Sequence, residues 1–245
     1  MDRAALPPRV GAVVAHLERV AGVVGVALGG SRAEGTADGK SDWDLGVYYR
    51  GPLDLARLAE LGEVHPPGAW GRIMNGGAWL VVEGTRVDLV LRDIDVVRAW
   101  TERAMAGEYE VDLLLGSLAG IPTYTLAAES AIAKPLCGTV PPAVPFPDLL
   151  AQSAPERWRF HRRFTLEQAR TRAARGDVVG TVGQAARAVI EEAHARLCAR
   201  RVWVFNEKRI VERAGLGPAE RLFEEPGTPL DEWVERVCTA IATGD

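Results

Sequence analysis

The 245-residue chain is short of several things, and each shortage removes a class of protein. Cys137, Cys198 and Cys238 are its only cysteines, odd in number and far apart. Neither a disulfide framework nor a cysteine metal site is indicated, and a reducing, cytoplasmic setting is expected. His16, His65, His161 and His194 pair neither with cysteine nor with one another, which argues against a histidine zinc site. Positive charge is not in surplus: 29 Lys and Arg stand against 33 Asp and Glu, a net charge of -4. No general field draws the chain to nucleic acid, so any phosphate affinity has to be local. Nor is there a membrane-length apolar run. The segment VGAVVAHLERVAGVVGVALGG is interrupted by His16, Glu18 and Arg19 and lacks the basic start of a signal peptide. Internal repeats and low-complexity tracts are missing too.

What is present is a hydrophobic content of 47%, enough for a substantial core. Val10, Val13, Val14, Leu17 and Val20 recur at helical spacing before Gly22, which predicts a helix over 8–21. VVGVAL then reads as a short buried strand and WDLGVYY as a second, ended by Gly51-Pro52. LDLARLAELG reads as a short helix closed by Gly62. AWLVVEGTRVDLVLRD carries two β-branched apolar runs about a turn at Gly84-Thr85, the pattern of an antiparallel hairpin, and a helix follows it. Near residue 138 the composition changes. GTVPPAVPFPD has four prolines in eleven residues, and beyond it strand signals almost vanish. Val178, Val179, Val182, Ala185, Val189 and Ala193 form an apolar helical stripe, with Asp177 placed to cap it. The reading is an N-terminal domain of mixed helix and strand over 1–138, a Pro-rich linker at 139–147, and a helical bundle over 148–245.

Two carboxylates flank a tryptophan at the start of the second strand. Residues two apart on a strand point the same way, so Asp42 and Asp44 share a face while Trp43 packs on the other. Carboxylates that close raise each other's pKa and cost folding energy unless a cation neutralises them. Magnesium suits such a site, since it binds one or two carboxylates together with substrate phosphates. The plainer alternative is a solvated acidic turn. Two neighbours favour the ion. Gly29, Gly30 and Ser31 follow a strand, where backbone N–H groups and a hydroxyl can cradle phosphate. Asp88 in TRVDLVL is a single charge inside an apolar run and needs a partner, for which the nearby sequence offers Arg86. If its strand lies beside that of Asp42 and Asp44, three carboxylates converge, as a two-metal site for phosphoryl displacement requires.

LGGSRAEGTADGKSDWDLGVYY together with VDLVLRD resembles the nucleotidyltransferase superfamily typified by DNA polymerase beta: Gly-Ser, then Asp-x-Asp, then a third acid on a neighbouring strand. The two-domain size and helical C-terminal half resemble the small bacterial aminoglycoside (kanamycin-type) nucleotidyltransferases. The resemblance covers residues 28–93 well and the helical half in outline. It implies an α+β catalytic domain with a mixed, mostly antiparallel sheet flanked by helices. It also implies that Gly30 and Ser31 hold nucleotide phosphates, that Asp42 and Asp44 bind magnesium, and that Asp88 completes the metal site or acts as base. Two Mg2+ ions and ATP or another nucleoside triphosphate are the implied cofactor and donor. The implied reaction moves a nucleoside monophosphate, AMP by preference, to a hydroxyl of a small acceptor. The alternatives are a protein or RNA acceptor, or a catalytically silent nucleotide-binding module. Nucleic acid and membrane are not expected partners, and a homodimer is compatible with this reading. One departure stands out: where small members of the superfamily often carry a basic residue, this chain has Glu34, which takes a phosphate contact away.

Further residues have two readings each. Glu129 is a second candidate base or a solvated helix position. Asp93 and Asp95 in RDID repeat the Asp-x-Asp spacing but sit where a strand gives way to a helix, as caps do. Lys208, in a segment that opens at Asn206 and ends at Gly215, is either part of a capped short helix or a contact to triphosphate. The arginines of ERWRFHRRF with Arg170, Arg172 and Arg175 are a solvated face or an anion-binding one. Trp158, Phe160 and Phe164 suit core packing as readily as base stacking.

Overall fold

The computed structural model of the chain describes residues 6–39, 41–114, 116–227 and 229–242. They form two compact units, one made of Met1–Ala104, Glu110–Leu114 and Pro122–Pro145, the other of Met105–Tyr109, Leu115–Ile121 and Phe146–Asp245.

In the first unit, α1 (Pro8–Leu17) opens on a proline, whose missing N–H is not needed in a first helical turn. It buries Val10, Val13, Val14 and Leu17, and it stops short of the expected 21 because the chain turns at Gly22, with φ +93°. The order then runs β1 (Val23–Leu28), α2 (Gly30–Glu34), β2 (Trp43–Tyr49), α3 (Leu55–Leu58) with a 3-10 turn at Ala59–Leu61, α4 (Gly71–Met74), β3 (Gly76–Val82), β4 (Thr85–Asp93) and α5 (Ile94–Met105). The two-residue strands β5 (Val111–Asp112) and β6 (Ile121–Pro122), then α6 (Thr125–Ile132) and β7 (Lys134–Gly138), complete the series. The β3–β4 hairpin turns on Glu83-Gly84 rather than Gly84-Thr85: both residues have positive φ, 48° and 76°, as a two-residue turn matched to the strand twist demands. Asp93 caps α5, its Oδ1 accepting from the N–H groups of Asp95 and Val96.

Five strands make one mixed sheet in the order β3-β4-β2-β1-β7. All neighbours are antiparallel except β2 and β4, which run parallel. Parallel neighbours need a long crossover, and here the chain from α3 to β3 provides it. The alternation of the strands separates the two faces. Leu45, Val47, Leu80, Val87, Leu89 and Leu91 are buried with Val10, Val14 and Leu17 of α1 in one apolar cluster. On the opposite face Asp44, Trp79, Val81, Arg86 and Asp88 are partly or fully exposed, whereas Tyr48 and Arg92 are buried.

The second unit is helical: α7 (Asp148–Ala173), α8 (Val178–Ala199), α9 (Ile210–Arg213), α10 (Gly217–Arg221) and α11 (Leu230–Ala242). Asp177 caps α8 by accepting from the Gly180 N–H. Ala185, Val189 and Ala193 pack in the core with Leu166, Trp233 and Val237. Val178 and Val179, assigned by spacing to the same stripe, are 53% and 84% exposed, because the first turn of α8 overhangs that core. Trp158 is buried and stacks on His194 with ring centroids 4.3 Å apart, and burial pushes His194 down to about 3, so its imidazole is neutral. Phe160 and Phe164 are exposed.

The arginine run is not simply a solvated face. Arg162 and Arg196 both pair with Glu192, which is fully buried, and Arg187 pairs with the equally buried Glu191 at 2.9 Å. Arg170 and Arg172 reach Glu235 and Asp177. A buried carboxylate survives only with its charge compensated, so α8 dictates arginines on its neighbour. A cavity of about 950 Å3 also belongs to this unit, lined by Arg170, Leu222, Glu235 and Arg236 among others. None of Asp42, Asp44 and Asp88 lines it.

Leu89, 1% exposed at the centre of the sheet, gives a direct test of this core. Leu89→Ala is expected to cost about 2–5 kcal/mol, read as a lower urea midpoint with an unchanged slope.

Candidate active site

The site is built by strand register. In the parallel pair, Asp44 stands opposite Asp88, with Trp43 opposite Val87 and Leu45 opposite Leu89. Strand neighbours are about 4.8 Å apart, and partners in register point to the same face. Two carboxylates more than forty residues apart in sequence are therefore side by side, each half-buried. Trp43, 8% exposed, turns the other way into the core.

Asp42 lies one residue before β2. Its Oδ1 is 2.9 Å from Arg86 Nε, close enough for an ion pair but out of hydrogen-bond alignment, so this buried oxygen has no hydrogen-bond partner. Arg86, which the sequence offers to Asp88, thus meets Asp42 instead. With Arg86 65% exposed, the pair adds little stability and is easily given up. Among the described residues, no group of three or more His, Cys, Asp or Glu side chains is drawn together as a metal site.

Beside Asp44 the backbone closes in. Gly29 N donates to Asp44 O at 2.8 Å. Gly30 follows with φ +58°, and a Cβ on it would lie 1.9 Å from Asp44 Oδ2. Only glycine allows both that conformation and that approach. Ser31 is half-buried in the single helical turn of α2, and Glu34 is exposed at its end. A cradle that a Cβ would fill, a buried carboxylate oxygen without a hydrogen bond and two further carboxylates in register are together compatible with a divalent cation, which needs no more than one or two carboxylates when phosphates complete its shell.

Arg32, which the sequence reading passed over, secures the loop. It donates to Ser41 O at 2.6 Å and Asp42 O at 3.1 Å, and its guanidinium lies 4.3 Å from the centre of the Trp43 ring. The Arg-x10-Trp spacing carries no recognisable signal, so only the fold could bring it out.

Glu129, the second candidate base, is committed elsewhere in the same unit. Arg92, 3% exposed, grips it with two bonds of 2.6 and 2.7 Å and also donates to Met74 O. Burial works against the Arg92 charge, but Glu129 more than offsets it and holds the guanidinium above its ordinary range. Nearby Tyr48 is pushed up to about 12, by burial first and then by Glu129, so its hydroxyl stays protonated. Asp95 pairs with Arg50 at 2.9 Å. Lys208 belongs to the second unit, exposed, its backbone N–H received by Asn206 Oδ1 in the turn before α9. Asn206 therefore caps that turn, while α9 itself starts only at Ile210.

Substituting Gly30→Ala should force a left-handed alanine, a cost of about 1–2 kcal/mol, and displace the Asp44 carboxylate. The expected outcome is a lower melting temperature, read by scanning calorimetry. Arg92→Met should leave Glu129 uncompensated and cost about 3–5 kcal/mol, measured by urea unfolding.

Against known proteins, the nucleotidyltransferase domain family matches residues 13–104. No curated protein matches the sequence. Among solved structures, the chain is similar to a nucleotidyltransferase-like protein from Exiguobacterium sibiricum 255-15, with 12% identity over 93% of this chain and 70% of that one, at a TM-score of 0.46. No helix among the described residues is long and apolar enough to cross a membrane. Residues 13–104, which hold all three aspartates, match the nucleotidyltransferase domain, and nucleotidyl transfer is the enzyme class that this match supports for the chain.

Proposed function

We propose that the chain moves a nucleoside monophosphate, AMP from ATP, to a hydroxyl of a small molecule in a magnesium-dependent reaction. The observation that carries this reading is the register of Asp44 with Asp88 across the parallel β2–β4 pair, with Gly30 backed against the Asp44 carboxylate. Asp44 and Asp88, joined by Asp42 once it leaves Arg86, are the residues to hold Mg2+. The ion, when bound, neutralises charge on the phosphates and lowers the pKa of an attacking hydroxyl.

The protein's own part is positioning. Gly30 N–H and Ser31 orient the triphosphate. Asp88 accepts the proton of the acceptor hydroxyl as its oxygen bonds to the α-phosphorus, and the bond to the bridging oxygen breaks to release pyrophosphate. Arg32 keeps the loop in place by tying Ser41 and Asp42 to Trp43. A second reading, a silent nucleotide-binding module, draws on the Asp42–Arg86 pair and on Glu34.

The test is transfer of label from α-labelled ATP, with magnesium, to a panel of aminoglycosides, lincosamides, RNA and cell extract. Label is expected on a small acceptor. Asp44→Asn and Asp88→Asn should each lower transfer by about 10²–10³-fold while leaving the melting temperature unchanged or raised, since a repulsion is relieved. Unaltered turnover in both variants would overturn the assignment, and nucleotide binding without transfer to any acceptor would favour the silent module.

A further inference from the structure

The carboxylate face continues beyond Asp88. β3 and β4 are antiparallel, and Trp79 stands opposite Asp88, so its indole shares the face of the two aspartates. By strand spacing its Cα is about 5 Å from that of Asp88 and about 10 Å from that of Asp44. Across the sheet the order is Gly30, Asp44, Asp88, Trp79.

Trp79 is 63% exposed, unusual for the largest apolar side chain in the middle of a strand, and Val81, two residues on and on the same face, is 72% exposed. The indole is nevertheless held. Trp70 stacks on it with centroids 4.6 Å apart at 28°, and His65 meets it edge-on at 5.0 Å. Trp70 is seated in turn over Gly77, where a Cβ would come within 2.6 Å of its ring. The loop that carries both supporting rings is pinned by His65 N donating to Gly77 O and Gly77 N to His65 O, at 2.7 and 2.9 Å. Folding thus spends two aromatic rings and an obligatory glycine on fixing one ring that it leaves in solvent. Core packing does not call for this, whereas a rigid aromatic surface does suit ring recognition.

The direction of the reaction decides which ring it receives. In-line displacement puts the attacking oxygen opposite the leaving pyrophosphate. With the triphosphate on the Gly30–Ser31 side, the acceptor enters over Asp88 from the β3 side, where Trp79 stands. We propose that Trp79, backed by Trp70 and His65, is the acceptor-binding platform: it stacks on a ring face of the small molecule whose hydroxyl meets Asp88. This rests on the nucleotidyl-transfer reading and adds that the acceptor carries a ring. An aromatic heterocycle and the C–H face of a saturated sugar share this stacking chemistry, and the test separates them.

The full chain, labelled with 15N at its tryptophans, is saturated with magnesium and αβ-methylene ATP. It is then titrated separately with adenosine, an aromatic ring, and with kanamycin and lincomycin, saturated rings. At least one probe is expected to shift the Trp79 indole N–H signal, identified by its loss in Trp79→Ala. The Kd of that probe should rise about tenfold or more in Trp79→Ala and recover in Trp79→Phe, while the Kd of the ATP analogue moves less than about twofold in either variant. The proposal is overturned if no probe moves Trp79, if the probe Kd is the same in Trp79→Ala, or if that variant instead weakens the ATP analogue tenfold, which would make the ring a platform for the donor base. Failure of the wild-type protein to bind the analogue with magnesium is a separate result that sinks the nucleotidyl-transfer reading itself.

Discussion

The parallel pairing of β2 with β4 is the constraint on which the first unit depends. It sets Asp44 against Asp88 in register, and like charges opposite each other on neighbouring strands are destabilising. The sheet tolerates the pair because the other face of the same two strands buries Leu45, Val47, Val87, Leu89 and Leu91. Each fully buried leucine or valine is worth about 1.5–3 kcal/mol, so the apolar face fixes the register and the acidic face accepts the consequence. A slip of one residue would send leucines to solvent and aspartates to the core. The place of the two carboxylates is thus locked in by packing.

Around this pair the chain divides its arginines by task. Arg32 holds backbone carbonyls and a tryptophan face, so it shapes a loop. Arg92 is buried on a bidentate partner and ties α6 to the sheet. Arg86 is exposed and only loosely engaged with Asp42. In the second unit the same residue type serves packing: Glu191 and Glu192, with no exposure, are paired with arginines of α7 and α8.

Local chemistry made much of this legible. The β-branched runs gave β1 and β2 at their observed ends, the hairpin was readable from its alternation, and Asp177 and Asp93 cap as their positions suggest. The misreadings have physical causes. The hairpin turn moved by one residue because Glu83 adopts positive φ, which composition alone does not favour. Val178 and Val179 fit the periodicity of α8 but stand exposed on its first turn. Glu129 and the arginines of α7 were read as solvated positions or as groups with a chemical role, since their partners, Arg92 and Glu192, are 37 and 30 residues away for Arg92–Glu129 and Arg162–Glu192.

The sequence by itself determined which residues are candidates for chemistry: Gly30 ahead of Asp42 and Asp44, and a lone Asp88 in an apolar strand, because residue type and spacing along one strand are local properties. Only the tertiary structure decided that Asp44 and Asp88 are register partners, that Asp42 leans to Arg86, and that Trp79 extends the same face. Those facts depend on which strands pair and in what direction, and pairing is settled by burial summed over the whole sheet.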